Sequence, residues 1–379
     1  MIKPHLSANP DILPNTEYRI LNTKKKFAVK KKKAIILRNE LEYDHILWER
    51  ACENYHDQVE YRVVNLTSNN WLEEIQKEPF DILLAKPGGL TAPFKQLYDE
   101  RIYILVYVLG YRIYPSPLEI FIYENKRFLS SWLKANNIPH PKTEVFYNYE
   151  EALNYIRSTP YPIVAKTNIG ASGSGVTIIS NNNDAQNYIK ATFSGKGSPQ
   201  RTGPNREKGD FMKRGFHYII HPSGIAKKFN IYKTKAANRQ KDFVIFQEYI
   251  PHEFEWRVVR IGDSFFAHKK LKSGEKSSGS LLKNYDNPPL EVLDFVRQIT
   301  DNQKFCSQAI DIFESSRGYL VNEMQCIFGQ SDPYQMLIDG IPGRYRNLNN
   351  NKWTFEKGDF AKNACYNLRL EFIISDNHD

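Results

Sequence analysis

Two carboxylates and an amide follow one another late in the chain as Asp311, Glu323 and Gln325. Glu323 and Gln325 stand two apart in a strand-like run, so they point to one side. Asp311 lies on the preceding apolar run and can meet them across a Ser-Ser-Arg-Gly turn. Hard oxygen donors of this kind suit Mg²⁺, which keeps phosphates and waters in its shell. A lone acidic pair on adjacent strands is usually surface polarity, but Val321, Met324 and Ile327 mark these surroundings as buried. Asn322 is expected on the opposite strand face.

A second constellation comes from a hairpin. If Gly262-Asp263 is a two-residue turn, Ile261 faces Ser264, and pairs run outward as 259–266, 257–268 and 255–270. Cross-strand partners share a face, so Glu255, Arg257, His268 and Lys270 line one side. The register selects Lys270 over Lys269 as the inward cation. Such a face is either solvated or meets a ligand.

The third is the run from Pro162 to Ile179. A strand ends in Lys166, a loop carries Gly170, Ser172, Gly173, Ser174 and Gly175, and a β-branched strand follows. Glycines let a backbone approach phosphate closely, and the lysine adds a point charge for the same anion. Walker and dinucleotide loops need a helix behind the glycines; here a strand follows, which suits a flap over a nucleotide triphosphate.

Alternating elements must position these groups. Strands are predicted at 34–37, 61–66, 80–85 and 111–114, with helices at 41–55, 71–76 and 95–109, which implies a parallel α/β sheet. Helices over 125–136, 149–157 and 184–192 flank the glycine loop. Residues 194–243 have no clear periodicity and exceed an ordinary connection. A strand over 243–250, the hairpin, a helix over 290–305 and paired strands at 309–313 and 319–325 complete the pattern. The expected division is an arm at 1–33, an α/β domain at 34–120, a central subdomain at 121–243 and a C-terminal subdomain at 244–379.

The chain has 379 residues and a formal charge of +9. Seven lysines lie in 24–33, and 194–243 holds twelve Lys and Arg against three acids, leaving an acidic remainder. That distribution suits an anionic substrate. No zinc spacing or recognition helix supports a nucleic-acid partner. No apolar run reaches the roughly 20 residues of a membrane span, and the start, Met-Ile-Lys-Pro-His-Leu-Ser, lacks the apolar region expected of a signal peptide. Four scattered cysteines fit a reducing cytoplasm.

The order of lysine, lysine with glycine flap, Gln-Glu-Tyr-Ile, Arg-bearing hairpin and Asp…Glu-x-Gln resembles the ATP-grasp superfamily over roughly residues 34–345. It is similar to D-alanine–D-alanine ligase, glutathione synthetase and the ribosomal-protein glutamate ligases. The resemblance implies an α/β (α+β) fold: a Rossmann-like N-terminal domain and two subdomains clamping ATP. It implies that Lys126 and Lys166 bind phosphates, that Gly170–Gly175 covers them, and that Gln247, Glu248, Tyr249 and Ile250 form the adenine hinge. Glu255 would meet the ribose, Arg257 and Lys270 the transferring phosphoryl group, and Asp311, Glu323 and Gln325 would hold Mg²⁺, with Mn²⁺ as a substitute. The family has Asn at the position of Gln325, and Cys326-Ile-Phe-Gly329 replaces its usual Pro-Gly. Patterns around Lys272–Ser280 and Pro342–Phe360 resemble a branch associated with surface-polysaccharide synthesis, with Ser278, Ser280 and Arg344 as substrate contacts.

The implied activity is carboxylate–amine ligation through an acyl phosphate, joining an amine to a uronic acid or other anionic carboxylate. A homodimer is compatible with it. A small-molecule kinase on the same fold and a non-catalytic adaptor for acidic polymers are the alternatives.

Overall fold

A computed structural model describes residues 31–170, 175–199, 222–273, 276–277, 282–348 and 352–375. Most of the expected arm and the centre of the basic segment therefore lie outside the described residues.

The first lobe contains β1 (Lys32–Arg38), α1 (Ile46–Asn54), β2 (Val59–Asn65), α2 (Trp71–Gln76), β3 (Ile82–Ala85), α3 (Ala92–Tyr103), β4 (Ile113–Tyr114) and α4 (Pro117–Ile122). The strands form a parallel sheet in the order β2-β1-β3-β4. Ile35, Ile36, Leu83 and Leu84 have no exposed surface. Parallel strands covered on both faces are continuously apolar for this reason.

The second lobe contains α5 (Lys126–Ala135), β5 (Thr143–Phe146), α6 (Tyr149–Ser158), β6 (Ile163–Lys166), β7 (Val176–Ile179), α7 (Asn182–Phe193), α8 (Pro222–Ala237) and β8 (Val244–Glu248). Its antiparallel sheet runs β5-β8-β6-β7. Ile163 and Ala165 pack with Ala152 and Ile156 of α6 and Ile189 of α7. The two-residue period of a strand then turns Val164 and Lys166 the other way. Helix α8 lies in the segment whose sequence shows no clear period.

The third lobe contains β9 (Phe254–Ile261), β10 (Ser264–Ser273), β11 (Lys276–Ser277), β12 (Lys283–Asn284), α9 (Leu290–Asn302), β13 (Ser307–Ser315), β14 (Gly318–Gln325), β15 (Leu337–Ile338), β16 (Ile341–Leu348), β17 (Lys352–Lys357) and α10 (Tyr366–Ser375). The path β14-β13-β9-β10-β16-β15 carries three short additions. Trp256, Val258, Phe265, Ile310 and Ile312 bury one face against Val292 and Val296 of α9. On the other face, Val259, Ile261, Phe266 and Ala309 form an apolar end; polar residues occupy the opposite end. The hairpin has the expected register, with Ile261 opposite Ser264 and Arg257 opposite His268. Gly262 takes φ +54° in the turn, and a Cβ there would lie 2.3 Å from the Phe372 ring.

Helix α10 returns to the first lobe. Tyr366, Leu370 and Ile373 join the core containing Trp48 and Ile36, so the C-terminal residues do not pack solely with the lobe that precedes them. No helix among the described residues is long and apolar enough to cross a membrane.

Candidate active site

The outward face of the second-lobe sheet and the polar end of the third-lobe sheet line an open cleft. Lys166 enters it because Ile163 and Ala165 are committed to the helices. Its ammonium is buried and donates to Asn322 Oδ1 at 2.7 Å. Burial pushes its pKa down to about 8. Lys126 begins α5, where the Asn125 side chain accepts from the Phe128 N–H at 3.2 Å and caps the helix. Lys126 Nζ donates to the Gly170 carbonyl at 3.0 Å and lies 3.6 Å from Glu323 Oε1.

Gly170 and Gly175 bracket the glycine loop; Ser172, Gly173 and Ser174 lie outside the described residues. A Cβ on Gly175 would stand 1.7 Å from Thr167 Oγ1, while Thr167 N–H bonds the Gly175 carbonyl at 2.8 Å. Only glycine lets the loop's two limbs close this tightly.

At the far end, β8 stops at Glu248. Gln247 Nε2 donates to Thr143 Oγ1 at 3.0 Å, and Glu248 Oε1 accepts from Lys142 N–H at 2.7 Å and Arg317 Nη2 at 2.5 Å. These side chains fasten the strand while Tyr249 and Ile250 run on beyond the sheet. Ile250 packs with Phe313 and Leu320, and Val164 and Ile178 line the same cleft. The result is an apolar slot at one end and cations at the other.

Arg257, Lys270, Glu255 and Asp311 form a buried network. Arg257 Nε and Nη2 donate to the two Asp311 oxygens at 2.8 and 2.9 Å. Lys270 Nζ donates to Asp311 Oδ2 and Glu255 Oε2, each at 2.6 Å. Burial opposes the Asp311 charge, but Arg257 and Lys270 outweigh it and hold the carboxyl well below the usual range. Burial likewise opposes the Lys270 charge, and Asp311 and Glu255 reverse the effect, raising its pKa. His268 is pushed down to about 3 by burial and by Arg257, and its Nδ1 lies 2.9 Å from the Gln335 carbonyl.

Asn322 corrects the strand-face expectation. Asp311 pairs with Glu323 but Ile312 pairs with Val321, so Asn322 is the extra residue of a β-bulge. A bulge breaks strict alternation. Val321 and Met324, three apart, both reach the α9 core, and Asn322 and Glu323 both line the cleft. Asn322 Nδ2 also donates to Glu255 Oε1 at 3.1 Å, so this residue joins Lys166 to the acidic network.

The expected metal-ligand set is not assembled. Both Asp311 oxygens accept from cations, and Gln325, opposite Ala309 at the end of β14, does not line the cleft. Among the described residues no three His, Cys, Asp or Glu side chains group around a metal-sized position. Of the expected set, Glu323 faces the cleft as a hard carboxylate, and Mg²⁺ commonly takes one or two carboxylates and completes its shell with phosphate and water. Arg344 is not brought to the cleft. It pairs with Glu356 at 2.9 Å, donates to Ser264 Oγ at 2.9 Å and lies 4.0 Å over Phe360. Ser278 and Ser280 lie outside the described residues.

Sequence reasoning missed Asn322 and the apolar slot. Alternation from Lys166 pointed to Val164, and alternation from Asp311 pointed to Phe313; the bulge carried no comparable signal.

Residues 124–202 match the family described as phosphoribosylglycinamide synthetase, ATP-grasp (A) domain. The phosphoribosylamine–glycine ligase of Leptospira interrogans is 28% identical over 132 residues, covering 35% of this chain and 29% of that protein. The enzyme of the same name from Clostridium acetobutylicum is 27% identical over 155 residues, covering 39% and 34%. The match thus spans about a third of these relatives' own length. An ADP complex of N5-carboxyaminoimidazole ribonucleotide synthetase aligns with a TM-score of 0.51 and 14% identity, over 80% of this chain and 72% of that one.

Proposed function

We propose that this chain, which has the ATP-grasp fold, is an ATP-dependent carboxylate–amine ligase. The observation that carries this reading is the polarity of the cleft: an apolar slot beside Tyr249 and Ile250, and Lys126, Lys166, Lys270 and Arg257 at or behind its other end. A planar base with a polyanionic tail matches both ends.

In this reading the slot holds adenine against Val164, Ile178, Ile250 and Phe313, while Glu255, bonded to Lys270 and Asn322, belongs to the cationic end rather than to the ribose. Lys126 and Lys166 hold the phosphates, and the glycine loop covers them. The substrate carboxylate attacks the γ-phosphorus, the bond to the β-phosphate oxygen breaks, and ADP leaves. An amine then attacks the acyl carbon, loses a proton, and releases inorganic phosphate as the amide forms. Arg257 and Lys270, fixed by Asp311, present positive charge without reorganising during the reaction. Closing the cleft excludes water from the acyl phosphate. A divalent ion on Glu323 and the ATP phosphates would add charge neutralisation.

The proposed carboxylate donor is an anionic acid such as a uronic acid, and its amine partner is small. The test is a phosphate-release screen with Mg²⁺-ATP, amino acids, and uronic acids or nucleotide sugars, with product masses measured. Phosphate release with a condensed mass supports ligation. ADP without free phosphate would instead identify phosphoryl transfer to a hydroxyl, and absence of ATP binding would exclude both.

A further inference from the structure

We propose that a second cavity, behind Gly170, binds the phosphate-bearing part of a co-substrate. The term co-substrate rests on the ligase reading; anion binding at the cavity does not. The space measures about 330 Å³ and shares Gly170 with the ATP cleft. Its walls are the turn at Leu90–Pro93, the start of α5, and residues 235–243 from the basic segment.

Arg127, Lys235, Arg239 and Lys241 line this cavity, and among the described residues no acidic residue does. None of the four makes an ion pair among the described residues. Arg239 Nε is buried without a hydrogen-bond partner. Arg127 lies 5.0 Å over Phe243 and 5.8 Å over Tyr147, contacts that orient its charge without cancelling it. The wall is also fastened. Gln240 Oε1 accepts from Asn168 N–H at 2.6 Å, and its Nε2 donates to the Phe243 carbonyl at 3.0 Å. Asn168 in turn accepts from Arg127 N–H through Oδ1 at 2.8 Å.

Four cations with no acid exceed the charge of one carboxylate and suit a group carrying two negative charges. Arginine's fixed fork matches phosphate oxygens. The cavity leaves room beyond a phosphate ion for the rest of a phosphorylated small molecule. Its position behind Gly170 lets it anchor a substrate whose reacting end extends to the ATP phosphates.

The experiment is calorimetric titration of the full chain, without ATP, using glucose 6-phosphate, glucuronate and inorganic phosphate. Glucose 6-phosphate should bind at least about tenfold more tightly than either of the others, and Arg239→Ala should weaken it about tenfold. Mg²⁺-ATP affinity of that variant should stay within about twofold. Lys241→Ala, at an exposed position, supplies a second variant, and unfolding midpoints verify that both fold. Equal binding of the three probes, no binding of glucose 6-phosphate, or its displacement by ATP would overturn the proposal. Failure of ATP to bind while glucose 6-phosphate binds would sink the ligase reading and leave the anion site standing.

Discussion

Asn322 and Asp311 each carry a duty that residue type alone does not reveal. The Asn322 amide accepts from Lys166 and donates to Glu255. Asn322→Ala leaves a buried ammonium without its acceptor, and burial already pushes Lys166 down to about 8. A base with a lowered pKa is charged below that value and neutral above it. ATP affinity should therefore fall as pH rises through about 8, and the variant should show that fall at lower pH with affinity reduced about tenfold. ATP titrations between about pH 6 and 9 read both effects; a profile identical to the parent's would remove Asn322 from this role. Asp311 is 1% exposed and accepts from two cations. Asp311→Asn should cost about 3–5 kcal/mol, because it strands buried charge. Urea unfolding in chelator tests this, since a residue needed only for metal would lose little stability there.

At the scale of elements, Glu119 ties α4 to β13. Its carboxyl accepts from Ser116 N–H at 2.9 Å and Ser307 N–H at 2.8 Å, and burial pushes its pKa up to about 7. An acid with a raised folded pKa contributes stability that is complete below its unfolded value and lost as pH rises through its folded value. Stability should decline between about pH 4.5 and 7 by about 3 kcal/mol at most. Glu119→Gln should flatten that slope, as denaturant midpoints at pH 5 and 8 would report; an unchanged slope would assign it to another group. Neither α4 nor this tie was legible, since Pro117–Ile122 is nearly all apolar apart from Glu119 and lacks a resolvable period. The hairpin was legible because Gly262-Asp263 fixes its register, and that register placed Glu255, Arg257 and Lys270 together. The bulge was not, because alternating and bulged readings of 320–325 both leave apolar residues facing a core. Helix α8 was missed because its polar and apolar residues do not separate into faces.

At the scale of the whole molecule, α10 makes the first and third lobes interdependent. Tyr366 meets Trp48 edge-on at 4.9 Å, while Arg369 Nε donates to Ser307 Oγ at 3.2 Å, and Ser307 Oγ bonds the Cys326 carbonyl at 2.6 Å. One helix thus fills the core of the parallel sheet and bonds β13, the strand that carries Asp311. Tyr366→Ala removes a buried ring and should cost about 3–5 kcal/mol. If the lobes unfolded separately, that loss would lower one thermal transition and leave another unmoved. Their shared helix predicts a single transition that shifts as a unit. ATP bound as proposed would touch both cleft walls, so saturating Mg²⁺-ATP should raise that same transition, by about 2.7 kcal/mol at a hundredfold excess over Kd. Calorimetry of the parent and Tyr366→Ala, each with and without nucleotide, decides the matter. Two separable transitions, with nucleotide moving only one, would show that α10 does not couple the parallel sheet to the cleft.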